Sequence, residues 1–147
     1  MTNPKSTANI AGRPIHAMLV PFPIACFVGA FLTDLTYWRT EEGAWETFSV
    51  WLLTAGLIVA AFAVLAGAID FFASPRIRAL RPAWPHAVGN AIALILAIVN
   101  AFVHSRDGYT AVVPTGLILS GLVVVILLIT SWMGGAMVYR HRVGVSN

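Results

Sequence analysis

Four long apolar stretches constrain the fold of this chain more than any other feature of its sequence. They cover about 14–38, 48–73, 84–103 and 111–139 of the 147 residues. A helix needs about 20 apolar residues to cross a bilayer, and only helical backbone satisfies its own polar groups in lipid. Because the connections are short, successive helices are expected to be antiparallel neighbours. The sequence therefore predicts an all-α, up-down-up-down bundle of four transmembrane helices in a single domain.

Composition limits the classes of function that such a chain can have. Hydrophobic residues make up 59% of the chain and charged residues 10%, against about 25% charged residues in soluble domains. The single cysteine, Cys26, excludes an internal disulfide and a metal cage of cysteines. We find no phosphate-binding loop, dinucleotide-binding motif or zinc-protease motif. The lipid bilayer is thus the expected partner and nucleic acid is not, and any chemistry, enzymatic or otherwise, has to lie inside the bundle.

The distribution of basic residues predicts the orientation in the membrane. Seven of the nine lie at the end of the bundle that holds both termini and the second connection: Lys5, Arg13, Arg76, Arg78, Arg81, Arg140 and Arg142. The other end holds Arg39 and Arg106 beside four acidic residues. Short loops rich in lysine and arginine stay on the cytoplasmic side. We therefore expect both termini to be cytoplasmic.

Ionisable residues at the predicted cytoplasmic end suggest a first polar cluster. His16 opens the first span, His86 opens the third, and His141 closes the fourth. Asp70 lies near the end of the second span, after a long apolar run, and an acid inside a membrane is a functional candidate by default. The plainer alternatives are a histidine that merely reaches the interface and an aspartate that forms a helix cap or an ion pair with Arg76.

A polar stripe on the third helix predicts a second cluster at the opposite end. The polar residues of this span are His86, Asn90, Asn100 and His104. At about 100° per residue they fall within an arc of about 80°, which is expected to face the bundle interior. On the first helix, Asp34 lies eighteen residues after His16 and on the same face. Asp34 and His104 are thus predicted to meet, although the asparagines alone also suit simple helix–helix hydrogen bonding.

Motifs at both ends of the chain resemble those of a known family. They are G-R-P-I-H-A-M-L-V at 12–20, F-P-I-A at 22–25, and a glycine pair at 134–135 followed by V-Y-R-H-R-V-G-V at 138–145. This pattern is similar to a family of small bacterial membrane proteins catalogued as a domain of unknown function. The resemblance covers nearly the whole chain. It implies the four-helix fold and the bacterial inner membrane, but no established activity.

The sequence departs from that family's pattern at two positions. Family members often carry H-P-M-L-V-H-F-P-I, whereas here Ala17 replaces the proline and Pro21 replaces the second histidine. His16 and His141 match the pattern. A role that needs a histidine at position 21 is therefore not carried over to this chain.

One hypothesis is a b-type haem protein that transfers electrons in the membrane to a membrane or periplasmic redox partner. Haem iron accepts imidazole as an axial ligand, and His16 and His86 begin helices that should lie opposite each other in the bundle. His141 is assigned a lesser role, as a hydrogen-bond partner or a propionate contact. The predicted partners of the haem propionates are basic residues at the same end: Arg13, Arg76, Arg81 and Arg140.

Two alternatives stay open at this stage. The first is a metal or proton site without haem, which has suitable ligand types in three histidines and an acid: His16, His86, His141 and Asp70. In that case Asp34 and His104 would extend a proton path. The second is an accessory subunit that binds a membrane partner, or a second copy of itself, through its apolar surface.

Overall fold

The computed structural model describes residues 3–105 and 112–145, which are almost entirely helical. A short hairpin of β1 and β2 near the N-terminus precedes six helices, and a π-helical turn precedes the last of them. The elements are β1 (Asn9–Ile10), β2 (Arg13–Pro14), α1 (Ile15–Leu19), α2 (Pro21–Thr40), α3 (Gly43–Ala73), α4 (Pro75–Arg78), α5 (Ala83–His104), the turn Val112–Gly116 and α6 (Leu117–Tyr139).

Four helical segments are long and apolar enough to cross a membrane, as the sequence predicts. They are Ile15–Thr40, Gly43–Ala73, Ala83–His104 and Val112–Tyr139. The second begins at Gly43, earlier than the predicted start near residue 48. Glu46 lies in its first turn, where an acidic side chain is stabilised by the positive end of the helix dipole. The predicted start of the fourth span, Ala111, lies outside the described residues.

The four spans pack in a ring. α2 packs against α3 and α6, and α5 packs against the same two helices. Side-chain contacts join early residues of one helix to late residues of the next, as between His16 and Ala63, which is the pattern of antiparallel neighbours. α2 and α5 therefore run in the same direction on opposite sides of the bundle centre, as predicted for the first and third spans.

The first span is interrupted at Val20, between α1 and α2. Pro21 occupies the first position of α2, where its missing N–H leaves no helical hydrogen bond unmade. The interruption at Val20 thus lies directly before the proline pair Pro21 and Pro23. It separates the short helix that carries His16 from the longer helix that carries Asp34.

An apolar layer across the middle of the bundle separates its two ends. All four spans contribute buried side chains to this middle layer: Phe27, Ala30, Leu53, Ala60, Ala93, Ala97, Val123 and Leu127. We call the end that holds both chain termini the terminal end and the opposite one the far end. Each end has a group of polar side chains, and the middle layer lies between them.

Candidate functional site

A cavity of about 370 Å³ lies at the terminal end, and side chains from all four spans line it. Its lining is mainly alanine, valine, leucine and proline side chains. The few polar side chains in the lining are those of His16, Asp70, His86, Asn90, Ser131 and Tyr139. A mostly apolar cavity with a few convergent polar groups is the usual form of a cofactor or small-molecule site.

The imidazole of His16 is fixed by the second span. Its Nδ1 lies 2.8 Å from the carbonyl oxygen of Ala63. The same ring packs on Gly67, where a Cβ atom would come within 2.8 Å of Nδ1. The absence of a side chain at Gly67 therefore makes room for the ring, and the carbonyl one turn earlier sets its orientation.

The imidazole of His86 is held in a matching way by the fourth span. Its Nδ1 lies 2.9 Å from the carbonyl oxygen of Thr130, and a Cβ at Gly134 would come within 3.0 Å of its Cε1. The side-chain amide of Asn90 also approaches Nδ1, at 3.3 Å, but donates a shorter bond of 2.7 Å to the His86 carbonyl. The Nδ1 proton is therefore assigned to the bond with Thr130.

These contacts fix the tautomer of both rings. A carbonyl oxygen only accepts hydrogen bonds, so Nδ1 of His16 and Nδ1 of His86 each carry a proton. In a neutral imidazole this leaves Nε2 with a free lone pair, the form in which histidine binds metals. A backbone carbonyl on the other ring nitrogen is a common second partner of such ligands. His16 and His86 are therefore the residues of this cavity that could hold a metal or a haem iron through Nε2.

The spacing of the two rings suits a shared metal ion. The ring centres of His16 and His86 are 6.0 Å apart, and the ring planes are at 88° to each other. Two imidazoles that bind one ion from opposite sides, each with Nε2 about 2 Å away, have centres roughly 6 Å apart. The two rings are thus neighbours in the structure, and their role as paired ligands stays a prediction.

Asp70, predicted as a possible member of this cluster, is engaged elsewhere. Its carboxylate accepts hydrogen bonds from the Ser6 hydroxyl at 2.7 Å and from the backbone N–H groups of Thr7 and Ala8 at 2.6 and 2.8 Å. The carbonyl of Ala8 in turn accepts from the N–H of Ile15. Asp70 thus anchors the N-terminal strap, which we define as residues 3–14, and it holds the chain that leads into α1. A free acidic ligand is not what the structure shows here.

The remaining predicted members are not brought into the cavity. His141 is exposed, and so are Arg13, Arg81 and Arg140; none of the four lines the cavity. Within residues 3–105 and 112–145, no three histidine, cysteine, aspartate or glutamate side chains converge as ligands of a metal ion. The long fourth span places His141 beyond the helix, at the surface.

At the far end, Asp34 and His104 form the predicted pair. Nε2 of His104 lies 2.9 Å from Oδ1 of Asp34, and the two residues are 2% and 0% exposed. Nδ1 of His104 is 3.0 Å from the carbonyl oxygen of Asn100. The hydroxyls of Ser49 and Ser120 donate to the two carboxylate oxygens of Asp34, each at 2.5 Å. Four helices therefore meet at one carboxylate.

The far cluster, which we define as Asp34, Ser49, Asn100, His104 and Ser120, is tightly packed. The side-chain amide of Asn100 donates to the Ser120 hydroxyl at 2.7 Å. A Cβ at Gly116 would come within 2.7 Å of the His104 ring. Both ends thus seat a histidine on a glycine of the neighbouring helix.

Some of these features escaped the sequence analysis. No repeat is visible in the sequence, yet key residues of the helix pair α2–α3 and the region leading into it correspond to residues of the helix pair α5–α6. His16 and Asp34 map onto His86 and His104 with an offset of 70 residues, and Ala63 and Gly67 map onto Thr130 and Gly134 with an offset of 67. Because the two offsets differ by three residues, the correspondence is apparent only once the contacts of the rings with Gly67 and Gly134 are known. The serines of the far cluster carry no such signal.

Comparison with known proteins agrees with the motifs at the chain ends. A family model described as a predicted membrane protein (DUF2231) matches residues 12–147. No curated protein and no solved structure matches the chain. Because the family model covers nearly the whole chain, including both histidine-containing motifs, the chain belongs to the DUF2231 family of membrane proteins of unknown function.

Proposed function

We propose that this protein is a b-type haem protein of the membrane, with His16 and His86 as the axial ligands. The observation that carries the proposal is the pair of rings 6.0 Å apart, each with Nδ1 bound to a backbone carbonyl. Each ring therefore keeps a free lone pair on Nε2. The mostly apolar cavity of about 370 Å³ that both histidines line supports the proposal, because cofactor sites are mostly apolar with a few polar groups.

Haem suits this site better than a bare metal ion does. A zinc ion takes four ligands, whereas haem iron needs only the two axial ligands from the protein because the porphyrin supplies the rest. The terminal site offers two imidazoles. Iron with two histidine ligands has no open position for a substrate, so the proposed activity is electron transfer to a partner in or beside the membrane.

The exposed arginines keep a narrower role in this proposal. Arg13 precedes Pro14 and Arg140 follows Tyr139, and both of these neighbours line the cavity. A propionate that projects from the cavity towards the surface would come near these two side chains, which suit paired hydrogen bonds to carboxylates. Arg81 lies in the connection between α4 and α5 and is the weaker candidate for such a contact.

An absorption spectrum of the protein purified from cells supplied with a haem precursor tests the proposal. We expect a Soret band and one haem per chain. His16→Ala and His86→Ala should each lose the haem, whereas His141→Ala, which changes an exposed histidine, should keep it. A colourless protein with a bound transition metal would favour the bare-metal alternative. A colourless, metal-free protein that copurifies with a membrane partner would favour the accessory-subunit alternative.

We also propose that the terminal end faces the cytoplasm of a bacterial inner membrane. The proposal is supported by the basic residues, of which the terminal end holds seven and the far end two. Short loops rich in lysine and arginine stay on the cytoplasmic side. Fusion of a reporter that is active only in the periplasm tests the orientation. A fusion after Asn147 should be inactive, and one inserted at Glu42, between α2 and α3, should be active. The reverse result would place the proposed haem on the periplasmic side.

A further inference from the structure

We infer that Asp34 and His104 form a proton-binding site at the far end, and that a single bound proton holds the ends of all four spans together. This inference does not depend on a haem at the terminal end. It rests on the hydrogen bonds of the far cluster, which restrict where protons can be.

The first restriction concerns His104. Its Nδ1 lies 3.0 Å from the Asn100 carbonyl oxygen, which only accepts, so Nδ1 carries a proton. Its Nε2 lies 2.9 Å from Oδ1 of Asp34. If neither Nε2 nor Asp34 carried a proton, a nitrogen lone pair would face a carboxylate oxygen. One proton is therefore required between Nε2 and Oδ1.

The second restriction concerns Asp34. The shared proton can be on Nε2, which gives an imidazolium and a carboxylate, or on Oδ1, which gives a neutral imidazole and a carboxylic acid. The Ser49 and Ser120 hydroxyls donate to the carboxylate oxygens and so favour the ionised acid. In both arrangements the pair is neutral overall. An unpaired charge would be costly in this site, because Asp34 and His104 are only 0% and 2% exposed.

Loss or gain of a proton would open this cluster. Removal of the shared proton leaves a net negative charge in the buried site whichever ring nitrogen keeps the remaining proton. A proton can then lie between Nε2 and Oδ1 only if Nδ1 gives up its bond to the Asn100 carbonyl. Addition of a second proton makes Asp34 neutral beside a charged imidazole and weakens the bonds from both serines. The closed arrangement of α2, α3, α5 and α6 is therefore the state with one proton bound.

Exchange of this proton is expected through the far end. The middle layer of buried apolar side chains separates the cluster from the terminal cavity. Glu46 on α3 is buried and close enough to His104 and Asp34 for their charges to affect it. The side chain that α6 contributes to the cluster is Ser120, which donates to Asp34. The carbonyl oxygen of the Asn100 side chain is buried and has no partner among the described residues. An entering water molecule would find an acceptor there.

Magnetic resonance of labelled histidine rings tests the inference in the haem-free protein in lipid. At neutral pH, His104 should show a protonated Nδ1 and a proton shared between Nε2 and Asp34. In Asp34→Asn the amide should donate to Nε2 in place of the shared proton, so His104 should become a neutral ring protonated only at Nδ1. Ser120→Ala is the second variant; its His104 should keep the shared proton, displaced towards Asp34.

Infrared spectra and thermal unfolding at several pH values complete the test. The wild-type protein should lose stability at both acidic and alkaline pH, and Asp34→Asn should lose much of that dependence. Asp70→Asn, which changes a carboxylate at the terminal end, should leave it in place. The inference fails if His104 is neutral with Nε2 unprotonated while Asp34 shows no carboxylic-acid band. It also fails if the His104 signals are the same in wild type and Asp34→Asn.

Discussion

The two ends of the bundle are built to the same plan but hold different chemistry. At each end, one residue from the first span faces one from the third: His16 and His86 at the terminal end, Asp34 and His104 at the far end. The members of each span are eighteen residues apart. The two terminal histidines line a cavity, and their Nε2 atoms have no hydrogen-bond partner among residues 3–105 and 112–145. Asp34 and His104, in contrast, bond to each other.

One scaffold thus carries two different pairs: a proposed ligand pair at the terminal end and, at the far end, a hydrogen-bonded pair that we call the lock. Under the proposal, the Nε2 atoms of His16 and His86 would bind an iron in the terminal cavity. A carboxylate opposite an imidazole pairs with it directly, and buried charges are retained only when they are paired and hydrogen-bonded. The first span contributes His16 to the terminal pair but Asp34 to the far pair. Because Asp34 is an acid, it bonds directly to the histidine opposite it, His104.

The largest expected effect comes from breaking the lock. Asp34→Leu removes the partner of His104 and the acceptor of two serine hydroxyls. Loss of one member of a buried pair costs about 3–5 kcal/mol. His16→Ala, which removes one hydrogen bond to Ala63, should cost about 1 kcal/mol. The free energy of unfolding in mixed micelles measures both. Equal losses at the two ends would contradict the distinction between site and lock.

The glycine seat of His16 gives the next effect. A Cβ at Gly67 would come within 2.8 Å of the His16 Nδ1, and the bond to Ala63 keeps the ring from moving away. Gly67→Ala should therefore displace the ligand, cost about 1–3 kcal/mol and weaken haem binding. Gly121→Ala is the matched control, because its Cβ would come no closer than 3.4 Å to the Phe31 ring and Gly121 does not line the cavity. Haem titration of both variants measures the effect. Equal haem affinities would show that the contact between Gly67 and the His16 ring does not position a ligand.

The anchor of the strap should show a more local effect. Asp70→Ala removes both acceptor oxygens: Oδ1, which accepts from the backbone N–H groups of Thr7 and Ala8, and Oδ2, which accepts from the Ser6 hydroxyl. A buried donor left without a partner costs about 1–3 kcal/mol, and here it should be confined to the terminal end. Amide exchange at Thr7 and Ala8 should become roughly tenfold faster. Unchanged exchange there, with faster exchange at the far end, would show that the strap is held by other contacts.

The smallest effect compares two asparagines of α5. Asn100 is fully buried and donates to Ser120 at 2.7 Å, whereas Asn90 is half-buried beside the cavity and its side-chain oxygen accepts from Thr130 at 3.3 Å. Asn100→Ala should cost about 1–2 kcal/mol, and Asn90→Ala about 0.6 kcal/mol or less. Unfolding free energies measured in the same micelles test the order. A larger loss for Asn90 would mean that the terminal end is the more rigid one.

Much of this organisation follows from the sequence because membrane helices obey simple rules. Apolar length predicts the four spans, and the 3.6-residue period brings His86 and His104 to one face of α5. The same period predicts that Asp34 meets His104, and the structure confirms that contact. A polar side chain within a membrane span almost always faces the bundle interior. The orientation of the whole helix therefore follows from the positions of its polar residues.

Other parts depend on contacts that a helical period does not specify. The role of Asp70 is set by the strap, whose backbone N–H groups reach it from more than sixty residues away. His141 follows the end of α6 and is exposed. The length of an apolar stretch does not specify how far its last turn projects from the bundle, so this exposure could not be predicted. The glycine seats depend on which residue of a neighbouring helix lies level with each ring. Helix packing, rather than sequence pattern, determines these positions.

Addition of haem to the protein with labelled histidine rings tests the central distinction most directly. We expect one equivalent of haem to shift or broaden the ring signals of His16 and His86 together. The signals of His104, about 27 Å away along the helix, should keep their chemical shifts and their shared proton. A change at His104 with His16 and His86 unaffected, or no change at any ring, would contradict the assignment of a ligand site to the terminal end and a lock to the far end.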